Sequence, residues 1–212
     1  LAFNLGREAL PYSVRTRGPK YSLGDKVRNA IREAQRLYFR PLEVEDLDAV
    51  QGFANDPENQ QYVTLHRPLS RGAEREWLES LGRKESEVVF GIALKEEGRL
   101  IGTCGLREIG LPNRAADLGI MIGEARFQGR GLGTEAMNLL LAYGFETLNL
   151  NRIGLRVYAN NPRAIRCYEK CGFRREGVLR EARWWAGRWW DVLQYGILAR
   201  EWHTLPQSGA AK

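Results

Sequence analysis

The sequence predicts one mixed α/β domain, an α+β arrangement of helices packed around a single sheet. Three observations carry this. The apolar pattern switches repeatedly between strand-like runs and helical spacing. The segments fall in the order strand, two helices, three strands, helix, strand, helix, two strands, which fits layers around one sheet. At 212 residues, 43% hydrophobic and 27% charged, the chain is long enough to bury a core without disulfides or metal.

The elements follow in chain order. Residues 1–36 form a basic extension, in which eight Lys/Arg face three acids; its net +5 leaves only +1 of the chain's +6 for the remainder. Pro11, Gly18 and Pro19 deny its first part any periodicity. Residues 25–37 set Val27, Ala30, Ile31 and Ala34 on one side, as an amphipathic helix would. Such an arm suits RNA or another anionic surface, a neighbouring subunit, or plain solvent. The main domain, residues 37–204, opens with a strand at 37–40, stopped by Pro41. Over 43–54, Val44, Leu47, Val50 and Phe53 keep helical spacing with acids in the early turns, where the helix dipole favours them. Asn55-Asp56-Pro57 breaks that helix. Ser70 is an N-cap for a second helix at 71–81. Residues 88–94 and 100–106 are strand-like around a charged turn, and 116–122 is a third strand. A helix is expected over 137–148, a β-branched strand over 152–158, and a helix that Pro162 opens and Gly172 ends. Residues 173–183 and 192–198 form a closing hairpin, and 205–212 a flexible tail.

Composition excludes some classes. No apolar run approaches the roughly 18 residues of a membrane span, and no leader pattern is visible, so a cytoplasmic protein is expected. Cys167 and Cys171 lie four apart on one predicted helix, poorly placed for a disulfide, and the two histidines are far apart in sequence. Free thiols and no metal site are the expectation.

The most informative stretch is Arg126-Phe127-Gln128-Gly129-Arg130-Gly131-Leu132-Gly133-Thr134, between the 116–122 strand and the long helix. Three glycines in five positions permit positive φ and close approach of a ligand to the backbone. The unpaired N–H groups and positive dipole end of the helix start suit a diphosphate. The spacing is neither Gly-x-Gly-x-x-Gly nor that of a P-loop.

Gln128-x-x-Gly131-x-Gly133 resembles the acetyl-CoA pyrophosphate loop of the GNAT superfamily of N-acetyltransferases. Downstream, Asn161-Pro162-Arg163-Ala164-Ile165-Arg166-Cys167-Tyr168-Glu169-Lys170-Cys171-Gly172-Phe173 resembles that family's Asn-x-x-Ala…Tyr-Glu-Lys-x-Gly-Phe segment. The branch holding ribosomal-protein N-terminal alanine acetyltransferases and spermidine acetyltransferases is the most similar. The resemblance covers about residues 38–202. It implies a three-layer fold whose twisted, mostly antiparallel sheet splays between its two central strands to admit the pantetheine arm. It also implies acetyl-CoA as co-substrate, held by backbone amides of Gln128, Gly129, Arg130, Gly131, Leu132, Gly133 and Thr134, by Met121 and Ile122 at the end of the preceding strand, and by Asn161.

The resemblance makes Tyr168 the acid that protonates the leaving thiolate, a role that suits a phenol protonated at neutral pH. Asp117 falls where related sequences often carry Glu, and is the candidate base. Glu176 is a second candidate and a possible acceptor contact; an ion pair with a nearby arginine is its plain reading. The first two helices and the final hairpin would frame the acceptor cleft. Glu43, Glu45, Asp46, Asp48, Asp56 and Glu58 could attract a cationic amine, or could simply be helix-start acids on a solvated face. The tryptophans at 184, 185, 189 and 190 form two adjacent pairs. Strand alternation turns one ring of each outward, so that a subunit interface, and hence a homodimer, is expected, while Trp185 is a candidate acceptor contact. The expected reaction is acetylation of a protein N-terminal amine by direct attack in a ternary complex. The alternatives are a small amine (polyamine, amino acid or antibiotic) and a non-catalytic acyl-CoA-binding module.

Overall fold

The computed structural model describes residues 30–63, 67–110 and 112–205. The expectations for residues 1–29 and 206–212 lie outside the described residues, as does His66. Eight strands form one sheet in the order β1-β2-β3-β4-β5-β6-β8-β7. These are β1 (Arg32–Glu33), β2 (Leu37–Arg40), β3 (Val88–Leu94), β4 (Leu100–Gly110), β5 (Ala115–Ile122), β6 (Arg152–Tyr158), β7 (Arg174–Trp185) and β8 (Arg188–Leu198). Among the described residues six α-helices accompany them: α1 (Leu47–Asn55), α2 (Pro57–Gln60), α3 (Arg71–Ser80), α4 (Leu132–Ala142), α5 (Pro162–Lys170) and α6 (Ala199–Trp202). The mixed α/β class holds, with an eight-stranded, mostly antiparallel sheet.

All neighbouring strands pair antiparallel except β5 and β6. That parallel pair is short: Ala115, Ala116 and Asp117 face Arg152, Ile153 and Gly154, after which the two strands part. β5 keeps β4 as its neighbour up to Ile122, and β6 keeps β8 up to Tyr158. The sheet therefore opens along one seam while staying whole on both sides of it. This is the splay expected between the central strands.

Burial separates two apolar groups. The larger gathers Leu118, Ala136, Met137, Leu140, Leu141, Ile153, Leu155, Tyr168, Phe173 and Ile197, with α4 buried nearly all round. The smaller lies under α1 and α3, with Leu47, Val50, Phe53, Leu78 and Leu100. Alternation along β5 distributes its side chains accordingly: Ile120 and Ile122 join the first group and Met121 the second. Gly123, just beyond β5, has no room for a side chain, because a Cβ there would fall within the Phe53 ring. Its absence lets α1 lie directly on the end of the strand.

Several boundaries differ from expectation for local reasons. The arm's helix does not extend into the described residues: the stretch from Ala30 is non-helical and includes β1, whose Arg32 pairs with Phe39 in an added edge strand. The helix expected from residue 43 begins as a 3-10 turn, Val44–Asp46, where Asp46 accepts from the Glu43 N–H and holds Arg40 in a two-point ion pair. Asp56 does more than end α1; its side chain caps α2 through the Glu58 N–H at 2.8 Å. Regular α-helix stops at Ala142 and continues as a π-turn through Thr147, where Gly144 lets Ile153 pack close. The hairpin turns at Ala186-Gly187 as expected, but both of its strands are longer than the pattern showed.

Replacing Gly123 by Ala should destabilise the protein by about 1–3 kcal/mol, the usual range for overpacking. A urea midpoint no lower than wild type would show that α1 can move away from β5 freely.

Candidate functional site

The seam between β5 and β6 ends at the start of α4, and the connecting loop has the conformation its glycines permit. Gly129 and Gly131 have φ of +74° and +79°, a region a side chain would strain. Gly131 is the N-cap of α4 and supplies no side-chain acceptor, so the N–H groups of the first turn have no side-chain cap. Gly129, Arg130 and Gly131 are exposed. An open, dipole-positive helix start with no competing cap is a fitting seat for a diphosphate.

The loop is braced from two directions that the sequence does not reveal. From the turn before β2, Arg36 Nε meets Glu135 Oε2 at 2.8 Å and Arg36 Nη1 donates to the carbonyl of Arg130 at 3.0 Å. The N–H groups of Arg36 and Leu37 both donate to Glu135 Oε1. From the other side, Gln128 Nε2 donates to the carbonyl of Ile122 at 2.8 Å and to Asn59 Oδ1 at 3.2 Å. Gln128 is thus a brace between loop, strand and α2, in addition to lending its backbone to the loop.

The two strand residues expected beside the cofactor separate. Gly123 donates its N–H to the carbonyl of Ile101, directly opposite in register. Antiparallel alternation then turns the backbone of Met121 towards β4 and that of Ile122 towards the seam. With its carbonyl taken by Gln128, Ile122 retains an N–H at the open edge, whereas Met121 is a ladder residue.

α5 lies against the start of α4. Cys167 Sγ is 3.4 Å from Thr134 Oγ1, and Cys171 Sγ lies 3.9 Å from the Thr134 carbonyl. Hydrogen bonding to Cys171, and then to Thr134, holds the Cys167 thiol below its ordinary value, at about 7, against the opposing effect of burial. Asn161 caps α5, its Oδ1 accepting the Ala164 N–H at 3.1 Å, so only its Nδ2 is free to donate to a ligand. Glu169 accepts from the Tyr195 hydroxyl at 2.9 Å and thereby ties α5 to β8. Tyr168 is 8% exposed, its ring edge on Phe173, and burial pushes its phenol well above the usual value. It remains protonated throughout the neutral range.

Asp117 sits at the closed end of the seam, opposite Gly154. It lies in the electrostatic reach of Arg152, whose guanidinium makes a two-point contact with Glu176. That contact holds the Glu176 carboxyl below its usual range, as the arginine reading of the sequence anticipates. Three of the six acids named on the first helices have partners: Asp46 with Arg40, Asp48 with Arg71 and Asp56 at the α2 cap. The plain reading of those three as helix-start and surface acids is the one their partners support.

The first helices and the final hairpin do meet, through Arg183. Trp185 is half-buried with the Arg183 guanidinium 5.3 Å from its ring, and Trp190 Nε1 donates to the Trp185 carbonyl. Trp184 and Trp189 face out, 54% and 55% exposed, and stack edge-on with centroids 5.1 Å apart. One ring of each adjacent pair is therefore external. Arg36, Asn59, Glu135 and Arg183 carry no signal in the sequence, since each acts through contacts with segments remote along the chain.

Comparison with known proteins agrees with this geometry. The family model described as an acetyltransferase (GNAT) domain matches residues 36–174. The uncharacterized N-acetyltransferase p20 of Bacillus licheniformis is 33% identical over 170 residues, covering 79% of this chain and 95% of the relative. The putative ribosomal N-acetyltransferase YdaF of Bacillus subtilis (strain 168) is 32% identical over 137 residues, 64% of this chain and 74% of that one. Among solved structures, the spermidine N-acetyltransferase from Vibrio cholerae in complex with CoA and spermine superposes with a TM-score of 0.75 at 31% identity, over 80% of this chain and 99% of that one. With its family match, its splayed sheet and its open glycine-lined helix start, this chain belongs to the GNAT family of acetyl-CoA-dependent N-acetyltransferases.

Proposed function

We propose that the chain moves the acetyl group of acetyl-CoA to a small primary amine of polyamine type, by direct attack in a ternary complex. The observation that carries the reaction is the uncapped start of α4 at the end of the seam. A diphosphate held there would leave the pantetheine to run along the open edge of β5. Acetyl-CoA supplies an activated thioester, and the chain's contribution is chiefly placement of the two reactants. Backbone N–H groups from Gly129 to Thr134 hold the diphosphate, and Asn161 Nδ2 adds a donor. The Ile122 N–H bonds the acetyl carbonyl oxygen as charge develops on it. Tyr168, kept protonated by burial, donates to the departing sulfur. Asp117, five residues before Ile122 and so roughly 16 Å away along β5, does not reach an amine at the acetyl carbonyl, and the amine proton passes to water. Glu176 serves the Arg152 ion pair, and Trp185 forms part of the acceptor wall.

The polyamine class is supported by the likeness to the Vibrio cholerae enzyme, not by the first-helix acids, of which Asp46, Asp48 and Asp56 already have partners. A protein N-terminus is the second reading, favoured by the similarity to the ribosomal-type relative and by the basic arm. The free cysteines at 104, 167 and 171 suit a reducing compartment such as the cytoplasm. A second copy of the chain is the partner we assign to the exposed Trp184–Trp189 pair, since two adjacent uncovered rings favour burial.

Thiol release, with product mass, should show spermidine acetylated with a kcat/KM at least about tenfold above that of a peptide with N-terminal alanine, a gap worth ~1.4 kcal/mol. The reverse order would move the acceptor to protein N-termini, and no release with either would favour the acyl-CoA-binding module. Tyr168→Phe should lower kcat by about 10²–10⁴, the scale of general acid catalysis, with CoA affinity within about twofold; joint loss of both would make the tyrosine structural. Gly131→Val should weaken CoA binding about tenfold or more, because a β-branched residue at positive φ is strained by roughly 1–3 kcal/mol. Unchanged affinity would put the diphosphate elsewhere. Replacing Trp184 and Trp189 together by Ser should lower the mass measured by light scattering; an unchanged assembly, or a monomeric wild type, would rule the contact out.

A further inference from the structure

Residues 59–63 cross the open end of the seam and touch all three of its banks. On the β5 side, Asn59 Nδ2 donates to the carbonyls of Gly123 and Phe53, at 2.7 and 3.0 Å. On the α5 side, the guanidinium of Arg163 lies 6.0 Å over the Tyr62 ring. On the hairpin side, Arg183 Nη1 donates to the Val63 carbonyl at 3.1 Å and Nη2 to the Gln60 carbonyl at 3.3 Å. The same guanidinium lies 3.6 Å over Tyr158, the last residue of β6.

Arg183 is unusual for a structural arginine. It is 5% exposed and is the only buried residue of β7. No carboxylate among the described residues pairs with it, and its Nε is buried without a partner. Burying a guanidinium without an anion is costly. Here the compensation comes from two carbonyls of one short segment and from aromatic faces. A register shift between Leu179 and Arg183, with Glu181 at φ +50°, turns the side chain inward. The local irregularity, the burial and the choice of partners all converge on residues 60–63.

We propose that Arg183 is a positioning residue for the acceptor: it clamps residues 59–63 across the mouth of the seam, fixing the wall against which the amine is presented and keeping water from the thioester. The assignment rests on the acetyl transfer proposed above. It concerns the acceptor side, because Arg183 holds Gln60 and Val63, whereas Asn59, which also meets Gln128 of the loop, is fixed by its own bonds to Gly123 and Phe53.

The test uses full-length protein with Arg183→Met, which keeps the length but loses charge and donors, and Arg183→Lys, which keeps the charge but loses the two-point fork. Hydrogen exchange without any ligand should show the amides of residues 59–63 opening at least about tenfold faster in both variants, as expected for losing hydrogen bonds from a charged donor. Amine-independent thiol release from acetyl-CoA should rise. The KM for spermidine should increase about tenfold, with kcat and CoA affinity changed less than about twofold. Unchanged exchange at 59–63, or equally accelerated exchange along the whole chain with parallel loss of CoA affinity, would overturn the clamp and leave Arg183 a packing residue. If wild type releases no thiol with spermidine, the acceptor reading falls, and the exchange contrast still decides the clamp.

Discussion

A parallel strand pair that holds for three residues and then separates is the constraint on which the rest depends. Backbone N–H and C=O groups seek partners whenever they leave water. Along β5 beyond Asp117, those turned towards β6 no longer have a strand to bond. The fold answers part of this demand itself, since Gln128 caps the carbonyl of Ile122. What remains is a row of backbone groups along a slot, with the unsatisfied start of α4 at its end. An extended ligand carrying amides and a diphosphate supplies the missing partners. In the reading proposed above, the opening of the sheet and the binding of the cofactor are two aspects of one hydrogen-bonding requirement.

Holding such a seam open without losing the sheet needs support from each flank. The antiparallel pairs β4–β5 and β6–β8 continue past the point of separation. α4 fills the space beneath with Ala136, Met137, Leu140 and Leu141, all fully buried, and this apolar packing is the main driving force at that level. Polar braces then set the loop: Arg36 and Glu135 on one side, Gln128 and Asn59 on the other. The exposed ion pairs elsewhere, such as Arg152 with Glu176, add little stability in water, about 0–1 kcal/mol each. They are better regarded as surface charge pairing than as holding the fold together.

The two ends of the site have opposite electrostatic character. At the start of α4, exposed peptide N–H groups and a helix dipole make the surroundings positive. Across the first helices and the hairpin, Asp46, Asp48 and Asp56 have partners of their own, while a buried guanidinium lies over Tyr158. Tyr168 lies within the core between these ends, and burial works on it in one direction only, by disfavouring the phenolate. In the acid role proposed for it, Tyr168 would need no dedicated neighbour to remain protonated.

The sequence by itself determined what local chemistry can determine. Glycines that need positive φ at 129 and 131, an asparagine and proline that open α5, a glycine that ends it, and the alternation along the strands all act within a few residues of where they stand. The positive φ of the glycine loop, the element order and the outward turn of Trp184 and Trp189 were legible for that reason. The tertiary structure decided what depends on partners remote in the chain: that Arg36 braces a loop near Glu135, that Met121 belongs to the β4 ladder while Ile122 faces the seam, and that Arg183 reaches back to Gln60 and Val63. α2 is four residues long and rests on one Asp cap, so periodicity could not reveal it, and the arm's apolar stripe read as helix where residues 32–33 form an edge strand. Side-chain contacts across more than ninety positions leave no period and no motif; they come into being only when the sheet brings the segments together.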